Sequence, residues 1–483
     1  MNRRDFLATG AAAGAASAAQ TATAVRPNIL VIVSDTLRKG YLEPYGNKKV
    51  KTPNLAKLAA ESALFERAHP ECLPTIPTRR TLHSGRRVFP FRNYRPVPWD
   101  NVSLPGWQPM ASEEDTIAES LARGGYHCGF VSDVPHYFVP GMNFTRGFHQ
   151  WDFVRGNAED RYRSPAPYDK QRLADRYLSG RGAMHVANLG GFEPDEMAFA
   201  TPRTFSSAVR FLEENRANSQ PFYLYVDTFH PHESWEAPLK YYEMYRDPSY
   251  KGKTYLTVPY STLHQNPIPE ESIRDIEAHY SGLITMMDHW LGRLLAKLKE
   301  TGKDESTLVL LVSDHGTNFA DNLEHVTGKP AGAMYPGTMD IPLLVRHPKR
   351  LAAGRRFREM VYTLDVPATV SAAAGAAPRD GLQGKNLLSL LEARHFEARL
   401  YQTCRYSNCV WYRDEKTWYF STIHWTNIRV FDLEASEPFR QNVAAKATDR
   451  SALAMQRILE DAGGALPEYP LAPTDRVKAP FIA

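Results

Sequence analysis

The sequence predicts an α/β fold: a large mixed, mostly parallel sheet sandwiched by helices, with a small antiparallel sheet at the C-terminal end. Three observations carry this. Two continuous apolar runs, 28–34 and 307–313, each stop at an aspartate, Asp35 and Asp314. Apolar runs without alternation are buried on both faces, as in parallel sheets. Segments of helical periodicity alternate with such runs, as in a doubly wound sheet. After about residue 390 the pattern changes to short aromatic-rich segments between polar turns.

The elements follow in order. Residues 28–34 form the first buried strand. Residues 52–63 read as a helix, with Thr52 as its cap and Pro53 in its first position. Helices are predicted over 117–124, 205–215 and 273–300, and strands over 128–132, 222–227 and 307–313. The strand at 222–227 also ends in an aspartate, Asp227. Ligands in doubly wound sheets bind beyond the carboxyl ends of the strands. Asp35, Asp227 and Asp314 are therefore candidates for one site. The segments 400–403, 409–412, 417–420 and 430–433 read as strands of a small antiparallel sheet, and the tail from about Pro467 as extended over the surface.

The chain opens Asn2-Arg3-Arg4-Asp5-Phe6-Leu7, followed by an Ala/Gly run and Ala22-Thr23-Ala24. Twin arginines, a modest apolar region and a small-residue site predict a twin-arginine export signal over 1–24, and a periplasmic or secreted protein. The organisation expected is then a main α/β domain over 25–390 and a C-terminal antiparallel subdomain with its tail over 391–483. The Ala/Gly run is too weakly hydrophobic for a permanent membrane anchor. Four cysteines in 483 residues do not make a disulfide scaffold. Cys404 and Cys409 are near enough in sequence to pair, and two reduced thiols fit as well. The formal charge is +4, with Lys and Arg scattered rather than clustered. That pattern carries no nucleic-acid footprint.

Two segments carry chemistry. Ser313-Asp314-His315-Gly316 directly follows a buried strand and can present a carboxylate and an imidazole to one ion. Alone it fits a helix cap equally well; with Asp35 and a third element it predicts a metal site. The third element is Thr75-Ile76-Pro77-Thr78-Arg79-Arg80-Thr81-Leu82-His83-Ser84-Gly85-Arg86.

That stretch resembles the sulfatase signature, Cys/Ser-x-Pro-Ser/Thr-Arg-x-x-Leu-x-Thr-Gly-Arg, in which the first residue is oxidised to a formylglycine nucleophile. Thr75 holds the first position and cannot undergo that oxidation. Counting from Cys72 instead puts Ile76 where the signature has arginine. Counting from Thr75 satisfies the Pro, Arg, Leu and Gly positions together. The resemblance to sulfatases and to phosphonate and phosphate ester hydrolases of the alkaline-phosphatase superfamily runs from Arg26 to about Asn442. It includes Asp314-His315-Gly316, Pro231-His232-Glu233, Ile341-Pro342-Leu343-Leu344-Val345-Arg346 and Phe431-Asp432-Leu433-Glu434.

By this resemblance Asp35, Asp314 and His315 are ligands of one divalent metal ion (Mn, Zn or Ca), with Thr75 contacting it. Many sulfatases have a second aspartate where this chain has Thr36, and asparagine where it has His315. Both departures weaken the case for calcium and favour manganese or zinc. They also look more like the phosphonate and phosphodiester branch. Arg79 would bridge the nucleophile and the developing anion. His232 resembles the substrate histidine. His325 and Lys329 resemble a His-and-Lys segment of tighter than usual spacing, with His325 as a proton shuttle and Lys329 on a substrate oxygen. His136 is a further candidate. The expected activity is hydrolysis of phosphate-diester, phosphonate or sulfate esters through a Thr75 covalent intermediate. The alternatives are a sulfatase proper acting on sulfated glycans or aryl sulfates, and a non-catalytic anion or glycan binder. The partner is a small-molecule or glycan anionic ester.

Overall fold

The computed structural model describes residues 26–92, 94, 104–157, 160–165, 168–178 and 181–470. The expected export signal and the tail beyond residue 470 lie outside the described residues. Among the described residues no helix is long and apolar enough to cross a membrane.

Eight strands make the main sheet, in the order Arg356–Tyr362, Ala63–His69, Leu343–Arg346, Thr307–Ser313, Asn28–Ser34, Phe222–Thr228, His127–Ser132 and Gln150–Phe153. Leu343–Arg346 pairs antiparallel with both neighbours, and every other pairing is parallel. The predicted runs Asn28–Ser34 and Thr307–Ser313 occur with those bounds, buried at every position. They lie side by side at the centre because each carries apolar side chains on both faces. Ile29, Val31 and Val33 point into one core layer, and Leu30 and Ile32 into the other.

The second layer is closed by the long helix Glu270–Glu300 and by Ala200–Glu214. The helix predicted over 52–63 spans Pro53–Ala60. Its Thr52 hydroxyl caps nothing within the helix and accepts from the Glu43 N–H instead. The first-turn N–H groups of Asn54 and Leu55 donate to the Asp288 carboxylate of the long helix, at 3.1 and 2.7 Å. A tertiary contact has taken over a cap that local sequence suggested.

The C-terminal sheet comprises Gln402–Tyr406, Cys409–Arg413, Thr417–Thr422 and Arg429–Asp432, paired antiparallel. The helix Thr448–Asp461 packs Ala454 and Ile458 against Val410, Tyr412 and Tyr419. A fifth strand comes from far upstream: Cys72–Leu73 pairs parallel with Arg405 and Tyr406. All four cysteines are buried and unpaired. Cys404 faces Trp411 and Cys409 faces Tyr406 across the ladder, so the two thiols sit on a diagonal and form no disulfide.

Candidate active site

The three central strands run parallel and release Asp35, Asp227 and Asp314 at the same edge of the sheet. Val33 is in register with Asp227, and Ser34 with Ser313. All three carboxylates are fully buried. Like charges so close require a cation, and Arg79 supplies one from the second turn of the helix Thr75–Ser84. Its Nε and Nη2 donate to the two Asp227 oxygens, both at 2.9 Å, while Nη1 donates to Asp314 Oδ2 at 2.5 Å. Nη1 also lies 3.0 Å from Asp35 Oδ2, without hydrogen-bond geometry. Tyr137 donates to Asp227 Oδ2 at 2.6 Å and places its ring beneath the guanidinium. The bidentate grip fixes the plane of Arg79, and a lysine could not reproduce it.

Asp35, Asp314 and His315 each offer one ligand atom within 4.8 Å of the others. Two polar atoms of this cluster, Asp35 Oδ2 and His315 Nε2, are buried without a hydrogen-bond partner. Such atoms are rare in folded proteins unless an ion or water meets them. Burial and the Asp314 charge push the Asp35 carboxyl well above the usual carboxylate range. Burial pushes His315 down to about 3, so its imidazole is neutral and free to ligate. The residues therefore fit a divalent ion. Thr36, at φ 60°, donates its hydroxyl to Asp35 Oδ1 at 2.6 Å, and its N–H donates to Asp314 Oδ1 at 3.0 Å. It orients both carboxylates from behind. Substituting Thr36→Val is expected to weaken metal affinity about 10–100-fold, measured by competition with a chromogenic chelator.

Thr75 opens the helix that carries Arg79, and Arg79 Nη1 donates back to the Thr75 carbonyl at 3.3 Å. Thr75 is 3% exposed and Cys72 is 0% exposed. The Cys72 thiol lies 3.5 Å from the Thr81 hydroxyl, which donates to the Glu71 carboxylate. Burial and the Glu71 charge raise the Cys72 thiol well above its ordinary range, so it carries no thiolate at neutral pH.

Of the other predicted residues, the structure brings Lys329 and His232 toward this cluster. Lys329 is 5% exposed, so it is no solvated loop lysine. Its Nζ donates to Thr36 Oγ1 at 3.2 Å and lies 3.4 Å from Glu233 Oε2. His232 stacks on Phe229 with ring centres 4.0 Å apart. His136 is buried edge-on to Trp107 at 5.0 Å and to Phe229 at 6.2 Å. His325 is not brought to the cluster: it is exposed, at φ 50°, in the turn between the short strands Asn318–Phe319 and Thr327–Gly328, with Nδ1 near the Ala320 carbonyl.

Two contributors had no role assigned from sequence. The sequence makes Asp227 a candidate for the site but assigns it no task, and its partner Arg79 is far away in the chain. Glu233 was read only as the neighbour of His232. Three residues further on, Glu236 anchors the same loop. It accepts from His185 Nε2 at 2.8 Å, the Tyr177 hydroxyl at 2.9 Å and Arg176 Nε at 3.2 Å. Burial alone would raise this carboxyl, but the bonds to His185 and Arg176 outweigh it and hold it at about 2. A depressed folded-state value stabilises the fold above the unfolded value and is lost on acidification. Stability should therefore fall as pH drops from about 4.5 toward 2. In Glu236→Gln that part of the curve should flatten, as read by urea unfolding across pH.

Residues 27–376 match the sulfatase family profile, and residues 331–423 match that of the N-sulphoglucosamine sulphohydrolase C-terminal region. An arylsulfatase of Clostridium perfringens is 27% identical over 414 residues, covering 78% of this chain and 81% of that one. The multifunctional alkaline phosphatase superfamily protein PehA of Trinickia caryophylli is 24% identical over 424 residues, covering 76% and 77%. Among solved structures, the phosphonate monoester hydrolase of Agrobacterium radiobacter superposes with a TM-score of 0.69 at 22% identity, covering 91% of this chain and 95% of that one. That of Silicibacter pomeroyi gives 0.68 at 21%, covering 91% and 96%. The fold is alkaline-phosphatase-like, and the chain belongs to the sulfatase family of ester hydrolases.

Proposed function

We propose that this protein is a metal-dependent hydrolase of phosphate diesters or phosphonate monoesters that uses Thr75 as a covalent nucleophile. The observation that carries the reading is the placement of Thr75 one helical turn before Arg79, whose guanidinium meets the buried carboxylates Asp35 and Asp314. The cysteine that could supply a formylglycine is three residues upstream, in a strand of the other sheet.

Asp35, Asp314 and His315 would hold the ion, with the Thr75 oxygen beside it. Two carboxylates and an imidazole suit manganese or zinc better than calcium, which takes 6–8 oxygens. When bound, the ion supplies Lewis-acid charge that favours the Thr75 alkoxide and the negative charge of the transition state. The Thr75 oxygen attacks phosphorus in line, and the bond to the leaving oxygen breaks. Lys329 adds positive charge where anionic oxygens gather. His232 gives its proton to the departing alkoxide, for which a positioned acid contributes about 10²–10⁴-fold. Water then attacks phosphorus of the threonine ester, its proton passes to the neutral His232, and the bond to the Thr75 oxygen breaks to free Thr75.

This second step favours phosphorus over sulfur. A formylglycine hydrate expels sulfate by collapse at carbon, whereas a threonine ester has no second hydroxyl on that carbon. The test is turnover of aryl phosphonate, aryl phosphodiester and aryl sulfate, after chelation and after manganese or zinc is added back. The first two should be hydrolysed in a metal-dependent way and the third poorly. Sulfate turnover exceeding both would mark a sulfatase proper. Anion binding without any turnover would mark a binder.

A further inference from the structure

Glu233 is a buried carboxylate that the mechanism above leaves without a task. Three groups converge on it. His232 Nδ1 lies 3.3 Å from Oε2, Lys329 Nζ lies 3.4 Å from the same oxygen, and Tyr260 donates its hydroxyl to Oε1. His232 Nδ1 is also 2.6 Å from the Glu233 carbonyl. A backbone carbonyl only accepts, so its bond fixes which nitrogen carries the permanent proton, and the carboxylate 3.3 Å away sets the charge that nitrogen faces. That nitrogen is Nδ1, so Nε2 is left as the atom that gains and gives up the second proton. Burial raises the Glu233 carboxyl, but the His232 and Lys329 charges outweigh it and drive it far below the usual range, so it is ionised at any working pH.

We propose that Glu233 is a positioning residue that fixes the tautomer and charge of His232, making its Nε2 the acid for poor leaving groups, and steers Lys329 onto the Thr36 side of the site. The proposal rests on the hydrolase reading given above. The charged group facing the pair is Lys329, on the segment after Thr327–Gly328. The neutral imidazoles of His315 and His230 and the Tyr260 hydroxyl are titratable neighbours. A carboxylate at such range favours the imidazolium over the neutral ring.

A leaving group decides how much an acid matters. A nitrophenolate departs without a proton, whereas an alkoxide does not. Wild type, Glu233→Gln and His232→Ala are compared on a p-nitrophenyl and an alkyl ester of the same phosphonate. Glu233→Gln should cost less than about 10-fold on the nitrophenyl ester and about 10²-fold or more on the alkyl ester. The basic limb of its kcat profile should move to lower pH by about one unit or more. His232→Ala should show the same leaving-group pattern, and the double variant should lose little more than either. Glu233→Asp, which keeps the charge at longer range, should fall between and serves if the Gln variant folds poorly. Equal losses on both esters, or an unmoved basic limb, would overturn the role of Glu233. Failure of the hydrolase reading looks different, because wild type would then turn over neither ester.

Discussion

Replacing Thr75 with alanine should cost about 10⁴–10⁶-fold in kcat, the scale seen when a covalent nucleophile is deleted. Replacing Cys72 with alanine should cost little, since its thiol lies against Thr81 and Glu71. The contrast separates two chemistries. If the chain used a formylglycine, Cys72 would be its source and the pattern of losses would reverse. Intact-protein mass measurement gives the same answer independently: Cys72 should carry an unmodified thiol. Quenching wild type during turnover of an aryl phosphonate should trap added mass on a peptide containing Thr75. Finding that mass elsewhere, or full activity in Thr75→Ala, would remove the threonine from the mechanism.

Removing Arg79 should be the most destabilising single change. The side chain is 0% exposed and touches three carboxylates that are themselves fully buried. Deleting one partner of a buried charge cluster leaves the others uncompensated, at a cost of about 3–5 kcal/mol. Arg79→Met, which keeps the volume and loses the charge, should therefore unfold at much lower denaturant than wild type. Added manganese or zinc should recover part of the difference, because the ion offsets charge on Asp35 and Asp314. Asp227 would gain nothing from it, so recovery stays incomplete. A double change, Arg79→Met with Asp227→Asn, should restore more stability than either single change predicts. Equal denaturant midpoints for wild type and Arg79→Met would show that the three carboxylates are not jointly ionised.

The main sheet was legible where its strands are apolar on both faces, and so were the carboxylates that end them. Leu343–Arg346 was visible only as a motif; nothing in four residues announces that it runs against its neighbours. Ala63–His69 was hidden because Glu66 and Arg67 interrupt its apolar run and sit half-buried. The helix Thr448–Asp461 buries only Ser451, Ala454 and Ile458, too thin a stripe to stand out. At the site, the structure places Asp35, Arg79, Asp314 and His315 together, with Lys329 and His232 beside them. The Asp227–Arg79 bond could not be read, because pairing between distant positions follows from strand order, which periodicity does not give. His325 lies beside Val326 and near Lys329 in sequence, but a left-handed turn sends it outward.

The parallel pairing of Cys72–Leu73 with Arg405 and Tyr406 places a condition on timing. Synthesis runs from the amino end, and all of the proposed ligands and the threonine leave the ribosome before the strand that must pair beside that threonine. A nascent chain stopped after residue 376 would hold the family's matched core, yet the segment leading into Thr75 would lack its neighbour. The strand leading into Thr75 thus gains its parallel neighbour from the far end of the chain.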